Sequence, residues 1–215
     1  MTGVRLHLPP KGVLKPNDEY DPLPFYYSRW VGWLFRHRLQ MGLDMLPADG
    51  RRVLEVGVGS GVLVSTLTGR YPQYTGIDLT LAPGLEALVA PGCKAEFVRA
   101  DLLAEDLPAD RYEAVVCFSV LEHIADAAAA ARGLARVLAP GGTLVTGYPM
   151  VSALMSRAFS AIGFQRIDDH HVSPPAKIAA ALAGVLQPVA RAAFPPAAPV
   201  PAALYQCTAW TKVAA

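Results

Sequence analysis

Glu55 stands just ahead of three glycines at alternate positions, in the run Val53-Leu54-Glu55-Val56-Gly57-Val58-Gly59-Ser60-Gly61. Glycine tolerates φ > 0 and carries no side chain, so a ligand can lie directly against such a backbone. A carboxylate at its head repels phosphate and attracts an ammonium group. Two further acids close apolar runs downstream, Asp78 in Gly76-Ile77-Asp78-Leu79 and Asp101 in Arg99-Ala100-Asp101-Leu102. Asp78 can accept hydrogen bonds from two vicinal hydroxyls, although either acid can equally cap a loop. A last stretch, Val115-Val116-Cys117-Phe118-Ser119-Val120-Leu121-Glu122-His123-Ile124, carries His123. Histidine titrates near neutrality and can take a proton from a reacting hydroxyl, but this one could instead hydrogen-bond the start of a helix or pack on a ligand.

Residues so far apart need a frame that brings them to one edge. Short apolar runs at Arg52 to Val56, Tyr74 to Ile77, Glu96 to Val98, Ala114 to Phe118 and Thr143 to Thr146 read as strands. Helical stretches fall between them, around Gly61 to Thr68, Leu85 to Ala90 and Ala125 to Leu138. This alternation predicts a three-layer α/β domain with a parallel sheet, because parallel strands need crossover connections. The acids and glycines then all lie at the carboxyl ends of strands, where open α/β sheets hold ligands. Upstream, apolar residues from Phe25 to Leu46 recur at helical intervals, so one helix is expected from Pro24 to Pro47. Pro140-Gly141-Gly142 should stop the third of those helices and lead into the fifth strand. Beyond, Ser173 should cap a helix that has Pro174 at its first position and runs to about Leu186. Two more strands fit Val189 to Phe194 and Leu204 to Lys212.

A dinucleotide site is the obvious rival for the glycine loop. Its fingerprint is G-x-G-x-x-G, whereas Val62 stands where the last glycine should fall, and Glu55 occupies a strand end that nicotinamide enzymes keep apolar. The loop instead resembles motif I of class I S-adenosylmethionine-dependent methyltransferases. The later segments are similar to the methyltransferase-11-like small-molecule group, with its Leu-Glu-His triplet after strand four. The resemblance covers Arg52 to Pro149 closely and the remainder loosely.

That resemblance implies a Rossmann-like doubly wound sheet of seven strands, in order 3-2-1-4-5-7-6 with the last strand antiparallel. Residues 1–22, rich in Pro and charge, read as an N-terminal arm, with one methyltransferase domain over 23–215 behind it. The methionyl part of S-adenosylmethionine would rest on Glu55 and on the backbone of Gly57, Val58, Gly59 and Gly61. Asp78, with Leu79 beside it, would take the ribose, Asp101 the adenine amino group, and Leu102 the ring face. Phe118 and Ser119 would line the cofactor, with His123 near the methyl-transfer point as candidate base. Tyr27, Tyr148, Met150, His170 and His171 are candidate acceptor-lining residues, His170 and His171 as part of a polar cover. The product would be S-adenosylhomocysteine, and the acceptor a small apolar or aromatic molecule methylated on oxygen, with carbon or nitrogen open. A binding module without turnover, or a nicotinamide oxidoreductase, is the alternative.

Composition narrows the partners. The chain has 19 basic and 18 acidic residues, giving a net charge of +1, and no basic stripe, which argues against nucleic acid. The cluster Arg29, Arg36, His37 and Arg38 reads as the solvated side of a helix. Cys93, Cys117 and Cys207 lie far apart without companion histidines, as buried thiols do in a reducing compartment, and no metal site is expected. No signal peptide or membrane span is legible, so a cytoplasmic monomer or homodimer is expected.

Overall fold

The computed structural model describes residues 4–19, 21–47, 50–104, 107–150, 172–196 and 203–212. Seven strands form one sheet in the order β3-β2-β1-β4-β5-β7-β6. They are β1 Arg52–Val56, β2 Gln73–Asp78, β3 Lys94–Arg99, β4 Tyr112–Phe118, β5 Leu138–Pro149, β6 Gln187–Phe194 and β7 Tyr205–Thr211. The pairs β3-β2, β2-β1, β1-β4 and β4-β5 are parallel, while β7 runs antiparallel to both β5 and β6. This is the sheet expected of the class.

Helices cover both faces. Leu23–Tyr26 (α1), Gly32–Leu43 (α2) and Val64–Thr68 (α3) lie on one side, and Ala127–Val137 (α4) and Pro175–Ala183 (α5) on the other. The middle strands explain the layering. In β1, Val53 faces α2 and α3, whereas Leu54 and Val56 face α4, and all are buried. A strand apolar on both faces can survive only inside such a sandwich. Helix α4 presents Ala127, Ala130, Ala131, Leu134 and Val137 inward, at helical spacing. Asp126 starts it by accepting the Ala129 N–H at 2.9 Å.

Three expectations need correction. The first helix is two, because Ser28 Oγ accepts from the Trp30 and Val31 amides and the Arg36 guanidinium takes the Tyr26 carbonyl at 2.6 Å, giving the chain other partners at that corner. Ser173 is no cap: its hydroxyl is buried and donates to the Ile124 carbonyl at 2.6 Å, and the helix starts after Pro174. Pro140-Gly141-Gly142 neither stops α4, which ends at Val137, nor precedes β5: it lies within β5, where the pairing with β4 shifts register and Gly141 takes φ +72°.

The arm is part of the fold. Val4 and Leu14 are buried in the α2 side of the core. The Leu6 amide donates to Gln40 and the His7 amide to Thr66. Among the described residues no helix is long and apolar enough to cross a membrane.

Candidate functional site

A cavity of about 970 Å³ opens at the carboxyl ends of the parallel strands. Its floor is the Glu55 to Val58 turn, its near wall Asp78 to Thr80 and Ala100 to Leu102, and its far wall Phe118 to Ile124. Helices α1 and α2 and the arm close the top through Asp21, Phe25, Tyr26, Phe35, Arg38 and Leu39.

The glycine loop is shaped by contacts a side chain would break. Gly57 has φ +82°, and a Cβ there would lie 2.2 Å from Val120 Cγ2. Gly61 also has φ +82°, with Leu85 and Leu88 at 2.6 and 2.8 Å from such a Cβ. Gly59 differs, since nothing lies within 4 Å of its Cβ position, which leaves its backbone bare. The Gly57 and Val58 amides both donate to the Ile77 carbonyl, Gly59 to Asp78 Oδ2 at 2.8 Å, and Gly61 to Val58. Four of the loop's amides are therefore engaged inside the protein. A pyrophosphate cradle works by presenting such donors to the ligand, so this loop is poorly suited to one.

Asp78 lines the cavity and binds the loop that faces it. Oδ2 accepts from Gly59 and Oδ1 from the Thr80 amide at 3.0 Å, which fixes the carboxylate while each oxygen keeps a second lone pair for a ligand. Glu55 is 3% exposed and its Oε2 accepts from Tyr74 at 2.6 Å. Burial pushes its carboxyl up to about 8, against the Tyr74 hydrogen bond, and Asp78 adds to the rise. A cation placed beside Glu55 would reverse that shift. The set of one poised acid, one fixed acid and a bare backbone fits the ammonium, ribose and thioether of S-adenosylmethionine.

Asp101 and Leu102 line the same wall, Asp101 with Oδ1 accepting the Leu103 amide at 2.9 Å and Leu102 buried against α4. Leu79 lines it too, 63% exposed at the rim. Phe118 is wedged between α2 and β5, for a Cβ on Gly42 would lie 2.3 Å from its ring and one on Gly147 2.9 Å. Ser119 takes φ +55°, a costly backbone for a residue with a Cβ, and its hydroxyl lies 3.2 Å from Tyr205 Oη. His123 lines the cavity on its solvent side.

Three acceptor candidates are placed elsewhere. Tyr27 is not in the lining, and its hydroxyl donates to the Pro9 carbonyl at 2.7 Å, tying α1 to the arm; Tyr26 faces the cavity instead. Tyr148 is buried on the α4 side, where alternation along β5 sends it, and Met150 packs against that same core. His170 and His171 lie outside the described residues.

Two features escaped the sequence reading. The arm contributes Asp21, which accepts from Ser60 Oγ at 3.2 Å above the glycine loop. Burial holds its carboxyl above the usual range. Arg38 is not on a solvated side: its guanidinium stands 5.6, 4.6 and 5.4 Å from the ring centres of Tyr26, Phe35 and Tyr205, and Nη2 donates to Tyr26 Oη at 2.9 Å. Aromatic faces replace water around it. Among the described residues no group of three or more His, Cys, Asp or Glu is placed to hold a metal ion, and the three cysteines are free thiols.

The sheet order is that of the class I methyltransferase fold, and the chain belongs to the methyltransferase-domain family, which it matches over residues 33–186. Among relatives, it is 38% identical over 131 residues to a ubiquinone biosynthesis O-methyltransferase of Paracidovorax citrulli, and 31% over 141 residues to one of Alkalilimnicola ehrlichii. Those matches take in 58% and 63% of this chain and 51% of each relative, so the chain spans about half the length of the curated relatives it matches. Among solved structures, the N-methyltransferase NodS of Bradyrhizobium japonicum, in complex with S-adenosylhomocysteine, superposes with a TM-score of 0.62 at 18% identity over 89% of this chain and 92% of that one. The [4+2]-cyclase SpnF gives 0.64 at 18% identity, covering 88% and 85%. At such identities the likeness is one of fold, and a cyclase among the neighbours shows that this fold alone leaves the reaction open.

Proposed function

We propose that this protein transfers a methyl group from S-adenosylmethionine to an oxygen of a small, apolar or aromatic acceptor. The observation that carries the cofactor half is the loop's use of its own amides, which leaves a site with carboxylates and carbonyls, suited to a cation rather than to a pyrophosphate. Glu55 then pairs with the ammonium, Gly59 offers the bare backbone in the turn that Gly57, Val58 and Gly61 hold in shape, and Asp78 holds the ribose hydroxyls. Asp101 receives the adenine amino group, and Leu79 and Leu102 pack on the ring. The bound group supplies an electrophilic methyl on a sulfonium, so the protein's task is alignment and removal of the acceptor's proton.

The acceptor half rests on Phe25, Tyr26, Phe35 and Phe118, whose rings line the same cavity, and on the O-methyltransferase names of the relatives. His123 and Glu122 both border this end and both can take a proton. His170 and His171 belong to a polar cover in this reading. The unit acts as one domain over residues 23–215 with the arm over 1–22 completing its roof, in the cytoplasm, as a monomer or homodimer that binds no nucleic acid. Calorimetry with S-adenosylhomocysteine and, separately, a nicotinamide dinucleotide tests the cofactor: the first binds and the second does not. Binding of the dinucleotide alone would falsify the reading.

A further inference from the structure

The acceptor end of the cavity holds two ionisable groups that the cofactor does not need. Glu122 is 3% exposed, yet its Oε2 is buried with no hydrogen-bond partner. Arg38 Nε is likewise buried and without a partner, although Nη2 is taken by Tyr26. Both residues line the cavity, one from α2 and one from the turn after β4. A buried acceptor or donor left unmatched costs about 1 to 3 kcal/mol, more when charged, and two in the lining of one pocket, within electrostatic reach of each other, are a cost that a ligand can remove.

We infer that Arg38 and Glu122 form the acceptor-hydroxyl site, with Glu122 Oε2 taking the phenolic proton and Arg38 Nε–H holding the oxygen. The inference rests on the methyl-transfer reading above. The surrounding rings select a flat aromatic molecule, and the unmatched pair selects a group that donates one hydrogen bond and accepts another, as a phenol does and an ether or hydrocarbon cannot. In the step, the O–H bond breaks and its proton goes to Glu122. The oxygen's electron pair forms the O–CH3 bond, and the pair of the broken C–S bond returns to sulfur, giving the methyl ether and the thioether.

The electrostatics agree. Burial pushes the Glu122 carboxyl up to about 8, while its own backbone N–H and Arg38 pull it down. Burial works to lower the Arg38 value, but Tyr26, Tyr205 and Glu122 together hold it above the ordinary arginine range. The other titratable groups that Glu122 influences are Tyr205 on β7, Tyr148 on β5 and Cys117 on β4, all kept protonated by burial. A base with a value near 8 is fully available only above it, so turnover rises with pH to a plateau. His123, the neighbouring candidate, is exposed, whereas Glu122 is buried.

The test uses the full chain loaded with S-adenosylhomocysteine and three probes: para-methoxyphenol, benzyl alcohol and aniline. Calorimetry should show para-methoxyphenol binding best, and Arg38→Gln and Glu122→Gln should each weaken it by about tenfold or more. Affinity for S-adenosylhomocysteine should stay within about threefold of wild type, which also shows that the variants fold. With S-adenosylmethionine, Glu122→Gln should lower kcat for the phenol by about 100-fold and abolish the rising limb of its pH profile, whereas His123→Asn costs less than about tenfold. Preference for either other probe, phenol binding that both variants leave intact, binding without turnover at any pH above the Glu122 value, or a larger loss in His123→Asn overturns the pair. If S-adenosylhomocysteine itself does not bind, the cofactor reading fails instead.

Discussion

Replacing Glu55 by Gln should make the protein more stable and a worse binder, with a pH signature that identifies the cause. The carboxyl rises from 4.5 in the unfolded chain to about 8 in the fold. Between those values the folded state holds a proton that the unfolded state has released, so stability is fully present below 4.5 and is lost as pH rises towards 8. Each pH unit in that window is worth about 1.4 kcal/mol. At pH 7 the wild type has lost about 3 kcal/mol, and at pH 5 under about 1 kcal/mol. Gln carries no charge to lose, and its amide oxygen can still accept from Tyr74. For a domain of this size about 1 kcal/mol moves Tm by roughly 2 to 4 °C. The variant should therefore melt higher by up to about 6 to 12 °C at pH 7 and by only a few degrees at pH 5, in a thermal scan across that range. Without its carboxylate the same variant should bind S-adenosylhomocysteine about 10- to 100-fold more weakly at pH 8, the worth of one charged hydrogen bond. A Tm gap that stays constant from pH 5 to 8 refutes the buried-acid argument; undiminished affinity refutes the pairing with the ammonium.

Gly57→Ala should cost stability and cofactor affinity together, because φ +82° penalises a Cβ by about 1 to 2 kcal/mol and the Val120 methyl stands 2.2 Å from it; Val120→Ala added to it should recover the steric part and not the rest, as read by denaturant unfolding. Asp78→Ala removes the acceptor for the Gly59 and Thr80 amides as well as the ribose ligand, so S-adenosylhomocysteine affinity should fall about 100-fold or more, and a loss under threefold in calorimetry would leave Asp78 merely a loop cap. Trp210 is 1% exposed and its indole N–H donates to Thr146 at 2.9 Å; Trp210→Ala should destabilise by about 3 to 5 kcal/mol while the site, whose lining does not include Trp210, keeps its ligand affinity once folded.

What could be read along the chain was whatever depends on near neighbours. Apolar runs of strand length, the bare turn after Val56 and the acids at Asp78 and Asp101 are local patterns, and a parallel α/β frame converts each into a place at one edge of the sheet. Helix α4 was equally legible, since alanine and an apolar stripe at helical spacing act within a turn or two. The rest depended on partners distant in sequence. Nothing near Ser173 reveals the Ile124 carbonyl that takes its hydroxyl, and nothing near Tyr27 reveals Pro9. Arg38 looked like one charge among several on a polar helix face; only the packing of α1 and β7 around α2 surrounds it with rings and brings it within electrostatic reach of Glu122. Periodicity states which side of an element is apolar, but the burial of a charge, and hence its proton affinity, is set by what the completed fold places on every side of it.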